Sequence, residues 1–246
     1  MTGSLIIVGT GPGRPELITP ATRAALAEAT DLVGYGPYLD RVPQVRGQCR
    51  HASDNRVELE RARQALALAA AGRKVVVVSG GDPGVFAMAA AVFEAVESGE
   101  LAWRMLDIRV EPGVTAMLAA AAEVGAPLGG DFCAISLSDN LKSWATIERR
   151  LRAAAEADFV IALYNPASKA RPHQLGQAFA LLRTVKAGET LVLLVRAAGT
   201  SEARVIATTL ADADAAEADM RTLVIVGAST THRVGRWIYT PRGAKP

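Results

Sequence analysis

The sequence is poor in the residues that build metal centres. It has two cysteines and three histidines among 246 residues, and Cys49 and Cys133 stand far apart, outside any Cys-x-x-Cys or Cys/His cluster. Structural zinc and iron–sulfur sites depend on such clusters. The sequence therefore predicts no metal site. Isolated cysteines are also typical of proteins in a reducing cytoplasm.

Long hydrophobic runs and a strong net charge are missing as well. No apolar stretch approaches the roughly 20 residues of a transmembrane helix, so we expect no membrane span. Lys and Arg number 27 against 25 Asp and Glu, a net charge of +2, which is too small to indicate a nucleic-acid partner. A strand is predicted to begin close to the N-terminus without a basic leader, so we expect no signal peptide and a cytoplasmic location.

The chain does contain short apolar runs that end in glycine- and proline-rich turns. The clearest is the run Val75 to Val78, which is followed by Ser79 and then by Gly80-Gly81-Asp82-Pro83. Uninterrupted β-branched residues indicate a strand buried on both faces, as in a parallel sheet. Ligands of open parallel sheets bind at the carboxyl ends of the strands. We therefore expect a small molecule at this turn.

The same pattern recurs and predicts an α/β fold. The first part has predicted strands at 5–8, 31–34, 75–78, 108–111 and 132–137, and predicted helices at 20–29, 56–71, 85–96 and 116–125, with a polar loop at 41–55. The second part has predicted helices at 144–157 and 172–182 and strands at 159–164, 191–195, 204–207 and 223–226. The 191–207 pair has hairpin character. The length suits two domains, expected at 1–137 and 138–246, with a mainly parallel sheet in the first and a mixed sheet in the second.

The first glycine-rich turn partly matches a dinucleotide-binding fingerprint. Arg14 stands where the third glycine would be, Pro12 lacks the N–H that would face a pyrophosphate, and Asp31 starts the second strand instead of ending it. The pattern therefore does not favour a nicotinamide or flavin oxidoreductase. A tight strand–helix turn without a ligand stays open as an interpretation of this stretch alone.

The turn at Asp82 is not a Walker phosphate loop. No Lys-Ser or Lys-Thr pair follows it, and a carboxylate would repel a phosphate. Asp82 suits a cationic or hydroxyl-bearing ligand such as an ammonium, a sulfonium or a ribose, while the two preceding glycines allow close backbone approach. The alternative is that Asp82 caps the helix that follows. Further strand-end turns at 112–116 and 164–166 favour a ligand cleft between two domains.

Together these turns resemble the tetrapyrrole methylase family over essentially the whole chain. The matching stretches are Gly9–Gly13, Gly80–Pro83, Pro112–Ala116 and Tyr164–Pro166. Other stretches resemble more specifically those members that methylate precorrin-3B at C17: Gly34–Leu39, Gly84–Ala89, Ser136–Asp139 with Trp144 downstream, and Phe159–Pro166 followed by Ser168 and Arg171. Departures are mild, since Gly80 and Ala87 stand where serine and glycine are common.

The resemblance implies two α/β domains with S-adenosyl-L-methionine in the cleft between them, S-adenosyl-L-homocysteine as product, and a homodimer. It implies methylation of precorrin-3B at C17 with ring contraction to precorrin-4, in cobalamin biosynthesis. The implied cofactor contacts are Pro12, Gly80, Gly81, Asp82, Val85, Thr115, Ala116 and Asn165, with Ala197 and Gly199 on the adenine side. Two alternatives stay open within the family, namely methylation at another ring carbon and action on cobalt-factor III. A non-catalytic nucleotide-binding module is the alternative from another class.

Methyl transfer to an electron-rich ring carbon mainly requires that donor and acceptor be held about 3–3.5 Å apart. That requirement fits a sequence without a Ser-His-Asp, Cys-His or paired-carboxylate signature. Ring contraction needs proton transfer and therefore a general acid or base. Asp139 and Tyr35 are the candidates, with Tyr38 and His51 behind them, and a helix cap at Asp139 and a packing role for Tyr35 are the alternatives.

The implied substrate carries many carboxylates, so we expect basic residues around it. The candidates are Arg41, Arg46, Arg50 and His51 in the polar loop, and Arg171 in the second domain. Arg56, Lys142, Lys169 and Arg233 are further basic residues near these segments. The alternative is an ordinary solvated face.

Overall fold

The computed structural model describes residues 3–54, 57–168 and 170–243. Contacts divide the chain into two units, Met1–Thr115 and Ala116–Pro246. Arg56 and Lys169, two of the further basic residues near the expected substrate contacts, lie outside the described residues.

The described part of the first unit contains five strands and four α-helices. The strands are β1 (Ser4–Gly9), β2 (Asp31–Tyr35), β3 (Cys49–Ser53), β4 (Lys74–Ser79) and β5 (Asp107–Glu111). The helices are α1 (Pro20–Glu28), α2 (Gly36–Leu39), α3 (Glu58–Ala70) and α4 (Met88–Ser98), and 3-10 turns lie at Pro15–Leu17 and Leu101–Met105. The strand order is β3-β2-β4-β1-β5, and every pairing is parallel.

Alternate residues of β4 pack against opposite helical layers. Val75 and Val77 lie in one hydrophobic cluster with residues of α3 and α4, and Val76 and Val78 lie in another with residues of α1. All four side chains are at most 2% exposed. This confirms that the valine run is a strand buried on both faces, because helices cover both sides of the sheet.

Local end signals decide where the helices of this unit begin and end. Thr19 caps α1 as predicted, since its hydroxyl accepts a hydrogen bond from Thr22 N (3.2 Å). The α3 helix stops before Gly72, which has a φ of +88°. The helix expected from residue 85 starts only at Met88. Phe86 has a φ of +52°, and no residue within a right-handed helix has a positive φ.

The described part of the second unit contains three α-helices, α5 (Ala116–Val124), α6 (Trp144–Glu156) and α7 (Gln174–Leu182). Its strands are β6 (Gly125–Ala126), β7 (Phe132–Ser136), β8 (Val160–Tyr164), β9 (Leu191–Arg196), β10 (Arg204–Thr209), β11 (Thr222–Val226), β12 (His232–Val234) and β13 (Trp237–Tyr239). The acidic, alanine-rich stretch after β10 contains only a 3-10 turn at Ala215–Glu217.

The main sheet of the second unit is mixed, as expected. Its order is β10-β9-β11-β8-β7, in which β7 and β8 are parallel and the other pairs are antiparallel. The predicted hairpin of β9 and β10 is confirmed. Helices α6 and α7 cover one face through a cluster that includes Ile147, Leu151, Leu175 and Phe179. A small separate sheet joins β12, β13 and β6.

The segment from 116 to 137 differs from its expected domain membership. The sequence pattern predicts it in the first domain, whereas the contacts place it in the second unit. The reason is strand pairing, because β7 pairs in parallel with β8 through Phe132 and Val160 to Ser136 and Tyr164. The α5 helix also contacts β11.

Candidate functional site

The carboxyl ends of β4, β1 and β5 meet in close backbone contact. These strands are neighbours in the sheet, and glycines stand where they converge. A Cβ at Gly113 would lie 2.2 Å from the carbonyl oxygen of Gly81, and a Cβ at Gly9 would lie 2.5 Å from the same atom. Only glycine fits at such distances. The backbone of this edge is therefore free of side chains at the point where a ligand of a parallel sheet binds.

A reciprocal hydrogen-bond pair joins the turns after β1 and β4. Gly11 N donates to Gly81 O (3.1 Å), and Gly81 N donates to Gly11 O (2.9 Å). Both glycines have positive φ, +71° and +63°. Pro12, which was predicted to contact the cofactor, follows this bridge directly and is partly exposed.

Asp82 ties together the turns that follow β4 and β5. Its Oδ1 accepts from Gly84 N (2.8 Å) and its Oδ2 accepts from Gly113 N (3.0 Å). The alternative interpretation, in which Asp82 caps the following helix, does not hold, because the N-cap of α4 is Ala87 and has no side-chain cap hydrogen bond. The carboxylate is partly exposed, and two bonds leave some of its acceptor capacity for a ligand.

The remaining predicted cofactor contacts of this region follow in chain order. Val85 is partly exposed and its N donates to Asp82 O (3.3 Å). Thr115 is 5% exposed and is the last residue of the first unit. Ala116 is the first residue of α5 in the second unit.

In the second unit, Asn165 stands directly after β8 in a left-handed conformation with a φ of +53°. Its Nδ2 donates to Ser136 Oγ at the end of β7 (2.9 Å). The phenolic oxygen of the neighbouring Tyr164 accepts from Met117 N in the first turn of α5 (3.1 Å). The Tyr-Asn-Pro stretch therefore links β7, β8 and α5.

Asp139 contacts Gln174, which is one of several polar side chains with a buried, unpaired atom. Its Oδ2 accepts from Gln174 Nε2 (3.2 Å), so Asp139 contacts the start of α7 and does not cap α6, whose cap is Ser143. Among the described residues, five buried side-chain atoms have no hydrogen-bond partner, and three of them lie within residues 168–174: Ser168 Oγ, Arg171 Nη1 and Gln174 Oε1. Buried polar atoms are rarely left unpaired, so this group has the composition of a polar ligand site.

Ala197 and Gly199 form the turn after β9, and both have positive φ (+51° and +71°). Gly199 N donates to Glu123 Oε1 on α5 (3.2 Å). Glu123 was not predicted from the sequence. It also lines a surface pocket of about 490 Å³ together with Arg236 and Trp237.

The predicted basic residues of the 41–55 loop divide into two groups. Arg41 and Arg46 are exposed. Arg50 instead donates to the carbonyl oxygens of Leu39 (2.7 Å), Val42 (2.9 Å) and Pro43 (2.7 Å). His51 Nε2 lies 2.9 Å from Asp31 Oδ1. These contacts give Arg50 and His51 roles within their own unit.

Asp31, which was compared with the ribose-binding acid of dinucleotide folds, belongs to that same buried network. Its side chain is 3% exposed, and its Oδ2 accepts from Arg73 Nε (2.7 Å) and from Thr30 Oγ1 (2.7 Å). The carboxylate therefore holds the beginnings of neighbouring strands together.

Two tyrosines stand at the carboxyl end of β2. The rings of Tyr35 and Tyr38 meet edge to face with centroids 5.4 Å apart. The guanidinium of Arg41 lies 5.8 Å from the Tyr38 ring centroid. Tyr38 covers Gly80, since a Cβ there would lie 2.7 Å from Tyr38 Cζ. Aromatic and cationic groups thus lie at the same edge of the sheet as the glycine turns.

Arg61 is a buried cation that the sequence analysis missed. It is 4% exposed. Its Nε donates to Ser53 Oγ (2.8 Å), its Nη2 donates to Asp54 O (2.6 Å), and its Nη1 lies 3.3 Å from Met88 Sδ. Helical spacing was the available signal, because Arg61 shares a face of α3 with the buried Ala65 and Ala69.

The sequence predicts neither a metal site nor a membrane-spanning helix, and both expectations can be compared with the described residues. In ranges 3–54, 57–168 and 170–243, no three His, Cys, Asp or Glu side chains are grouped so as to hold a metal ion. Within those same ranges, no helix is long and apolar enough to span a bilayer.

A family model for tetrapyrrole (corrin/porphyrin) methylases matches residues 4–214. The chain belongs to the tetrapyrrole methylase family. This tetrapyrrole methylase is 58% identical over 247 aligned positions to a precorrin-3B C(17)-methyltransferase of Sinorhizobium sp.. The alignment covers 98% of this chain and 97% of that one. It is 42% identical to a probable cobalt-factor III C(17)-methyltransferase of Salmonella typhimurium, and that alignment covers 97% of this chain and 98% of the other.

Solved structures agree with this membership. The crystal structure of the methyltransferase CobJ matches with a TM-score of 0.95 and 55% identity, covering 97% of this tetrapyrrole methylase and all of that chain. A uroporphyrin-III C-methyltransferase from Thermus thermophilus, complexed with S-adenyl homocysteine, matches with a TM-score of 0.67 and 23% identity, covering 92% of each chain. The second likeness shows the fold alone.

Proposed function

We propose that this tetrapyrrole methylase transfers a methyl group from S-adenosyl-L-methionine to C17 of precorrin-3B, with ring contraction to precorrin-4, in cobalamin biosynthesis. The observation that carries the proposal is the 58% identity over nearly the full length of a precorrin-3B C(17)-methyltransferase. Identity to the cobalt-factor III enzyme of Salmonella typhimurium is lower, at 42%. That difference favours the metal-free substrate.

The residues at the carboxyl edge of the first sheet suit a sulfonium cofactor. Gly9, Gly11, Gly81 and Gly113 keep side chains away from the edge, so the backbone can contact a ligand directly. Asp82 adds a carboxylate, which favours a cation or a ribose hydroxyl over a phosphate. S-adenosyl-L-methionine, when bound, supplies an electrophilic methyl group. The distant Thermus thermophilus structure bound to S-adenyl homocysteine is consistent with this choice.

The chain's own task in methyl transfer is to hold and orient. We propose Pro12, Gly80, Gly81, Asp82, Val85 and Thr115 of the first unit as cofactor contacts, with Ala116, Asn165, Ala197 and Gly199 of the second. Asn165 is held by Ser136 and Gly199 by Glu123. Residues restrained in this way can keep donor and acceptor near the reacting distance.

Ring contraction needs a proton donor or acceptor, for which we propose Asp139 or Tyr35. Asp139 accepts a hydrogen bond from Gln174 (3.2 Å), and this contact orients its carboxylate. Ser168 Oγ and Arg171 Nη1, which precede Gln174 in the chain, lack partners among the described residues, so Arg171 is our proposed substrate contact in this unit. Arg41 and Arg46 are the corresponding proposal in the first unit.

The test of the proposed function is incubation with precorrin-3B and methyl-labelled S-adenosyl-L-methionine. We expect one label at C17 of precorrin-4. Cobalt-factor III is the comparison substrate and should react more slowly. Label on a different ring carbon would refute C17 specificity and leave the family membership intact. Failure to bind S-adenosyl-L-homocysteine, with binding of NAD instead, would favour the non-catalytic nucleotide-binding alternative.

We also propose a cytoplasmic homodimer, on the resemblance to the family and the isolated cysteines. Sedimentation velocity should then give twice the chain mass of 25.7 kDa. A species at the mass of one chain across micromolar concentrations would contradict the dimer.

A further inference from the structure

Arg61 carries a buried positive charge that forms no ion pair among the described residues, although Glu58 exerts an electrostatic attraction on it. Its three contacts are a hydroxyl oxygen, a carbonyl oxygen and a thioether sulfur. None of the ion pairs found among the described residues includes Arg61. A buried charge is costly unless it is paired. A cation at 4% exposure that forms no ion pair can still attract an anion that reaches the surface near it.

Ser53 connects this cation to the surface. Ser53 is the last residue of β3 and is partly exposed. Because its Oγ accepts from Arg61 Nε (2.8 Å), its own hydroxyl proton must be donated elsewhere. The contacts of the described residues give that proton no acceptor. The hydroxyl is therefore available to a group that arrives from solvent.

A surface pocket lies beside Ser53. The pocket has a volume of about 220 Å³ and is lined by Gly36, Pro37, Ala52, Ser53 and Asp54. Its walls come from the segments that directly follow β2 and end β3, at the carboxyl edge of the sheet where Tyr35 stands. A conjugated macrocycle with carboxylates on its rim suits an aromatic side chain beside a small polar pocket.

We propose that this pocket binds one peripheral carboxylate of the tetrapyrrole, with the Ser53 hydroxyl donating to it and Arg61 beneath supplying the positive charge. The proposal rests on the proposed function for its substrate class. Ser53 is the contacting residue and Arg61 the positioning residue. Burial lowers the pKa of the Arg61 guanidinium, while attraction from Glu58, Tyr38 and Tyr35 opposes that shift. An arginine remains protonated in such surroundings.

Removing the charge of Asp54 should change the affinity for the bound carboxylate in the opposite direction. Its side chain is exposed at the rim of the same pocket. A carboxylate there repels a bound anion, so Asp54→Asn should tighten binding, whereas variants at Ser53 and Arg61 should weaken it.

The test uses the full chain with uroporphyrin III, a stable porphyrin octacarboxylate, as probe, and S-adenosyl-L-homocysteine as the internal reference. Calorimetry or porphyrin fluorescence gives both dissociation constants. We expect Ser53→Ala and Arg61→Met to weaken porphyrin binding about tenfold, the effect of one hydrogen bond to a charged group. Ser53→Thr keeps the hydroxyl and should restore the affinity. Arg63→Met, on the exposed side of α3, is the matched control and should bind both ligands as the unmodified chain does.

Several results would overturn the subsite. These are unchanged porphyrin affinity in Ser53→Ala and Arg61→Met, equal losses for both ligands, or no porphyrin binding by the unmodified chain. If Arg61→Met fails to fold, the pair Ser53→Ala and Ser53→Thr decides the outcome alone. The methylation assay is separate, because a chain that binds porphyrin through Ser53 but labels another carbon loses the C17 assignment and keeps the subsite.

Discussion

At the residue scale, Asp82 holds two turns that carry much of the proposed cofactor site. It bonds Gly84 N and Gly113 N with its two oxygens. Asp82→Ala leaves both N–H groups without this acceptor, and we expect a stability loss of about 1–2 kcal/mol. Chemical denaturation should measure this loss, and calorimetry should show weaker binding of S-adenosyl-L-homocysteine.

Asp82→Asn is the matched variant, because an amide retains one acceptor oxygen. Its losses should lie between those of the unmodified chain and Asp82→Ala. Full cofactor affinity in Asp82→Ala would contradict a role for this carboxylate in the site.

Asp139 is a second single residue whose proposed role can be tested. If it transfers a proton during ring contraction, Asp139→Asn should keep methyl transfer but slow contraction at least about a hundredfold, the usual effect of losing a general acid or base. Mass spectrometry and absorption spectra of the product distinguish methylated, uncontracted material from precorrin-4. If Asp139→Asn contracts the ring at the normal rate, Asp139 is not the proton-transfer residue and Tyr35 becomes the candidate. Tyr35→Phe is then the corresponding variant.

At the scale of elements, Asp31 joins the first residue of β2 to the middle of β3 and to the residue before β4. Burial of the Asp31 carboxyl would raise its pKa, but hydrogen bonds from His51, Arg73 and Thr30 lower it below the ordinary value of 3.8. A lowered pKa in the folded state stabilises the fold above the ordinary pKa. That stabilisation is lost as the pH falls from about 3.8 towards the lower folded-state value.

Asp31→Asn should therefore reduce stability at neutral pH by about 1–3 kcal/mol, and its remaining stability should change less between neutral and acid pH. Urea unfolding at a series of pH values measures both effects. Asp107→Asn is the control, because Asp107 pairs with Arg109 (3.6 Å) with both side chains more than half exposed, where ion pairs contribute little. Equal acid sensitivity of Asp31→Asn and the unmodified chain would exclude Asp31 as a source of the pH dependence.

Elements with uninterrupted apolar runs were predictable, whereas the edge strand β3 and the short strands β6, β12 and β13 were not. The valine run of β4 was recognised because both of its faces are covered. The sequence predicts a polar loop in place of β3, because Cys49–Ser53 lies at the edge of the sheet and all five of its residues are partly or fully exposed. A strand in that position needs no apolar run, because backbone pairing with β2 alone defines it.

At the scale of the whole molecule, the proposed substrate is a polyanion and the proposed cofactor is not. Raising the salt concentration from about 0.1 M to about 1 M shortens the screening length from about 10 Å to about 3 Å. We expect uroporphyrin III affinity to fall severalfold over this range, while S-adenosyl-L-homocysteine affinity changes by less than about twofold. Titrations at four salt concentrations suffice to measure both slopes. Salt-independent porphyrin binding would contradict recognition by Arg41, Arg46, Arg61 and Arg171.

The sequence by itself determined the α/β class, most strands and helices, and the turns at strand ends, because apolar runs, glycines and helix caps act over a few residues. It also carried the family resemblance that the comparisons confirmed. Only the tertiary structure placed β7 beside β8, gave Asp82 its bond to Gly113, and buried Arg61 against Ser53. Such contacts join residues distant in the chain, and which ones form depends on how the whole sheet packs.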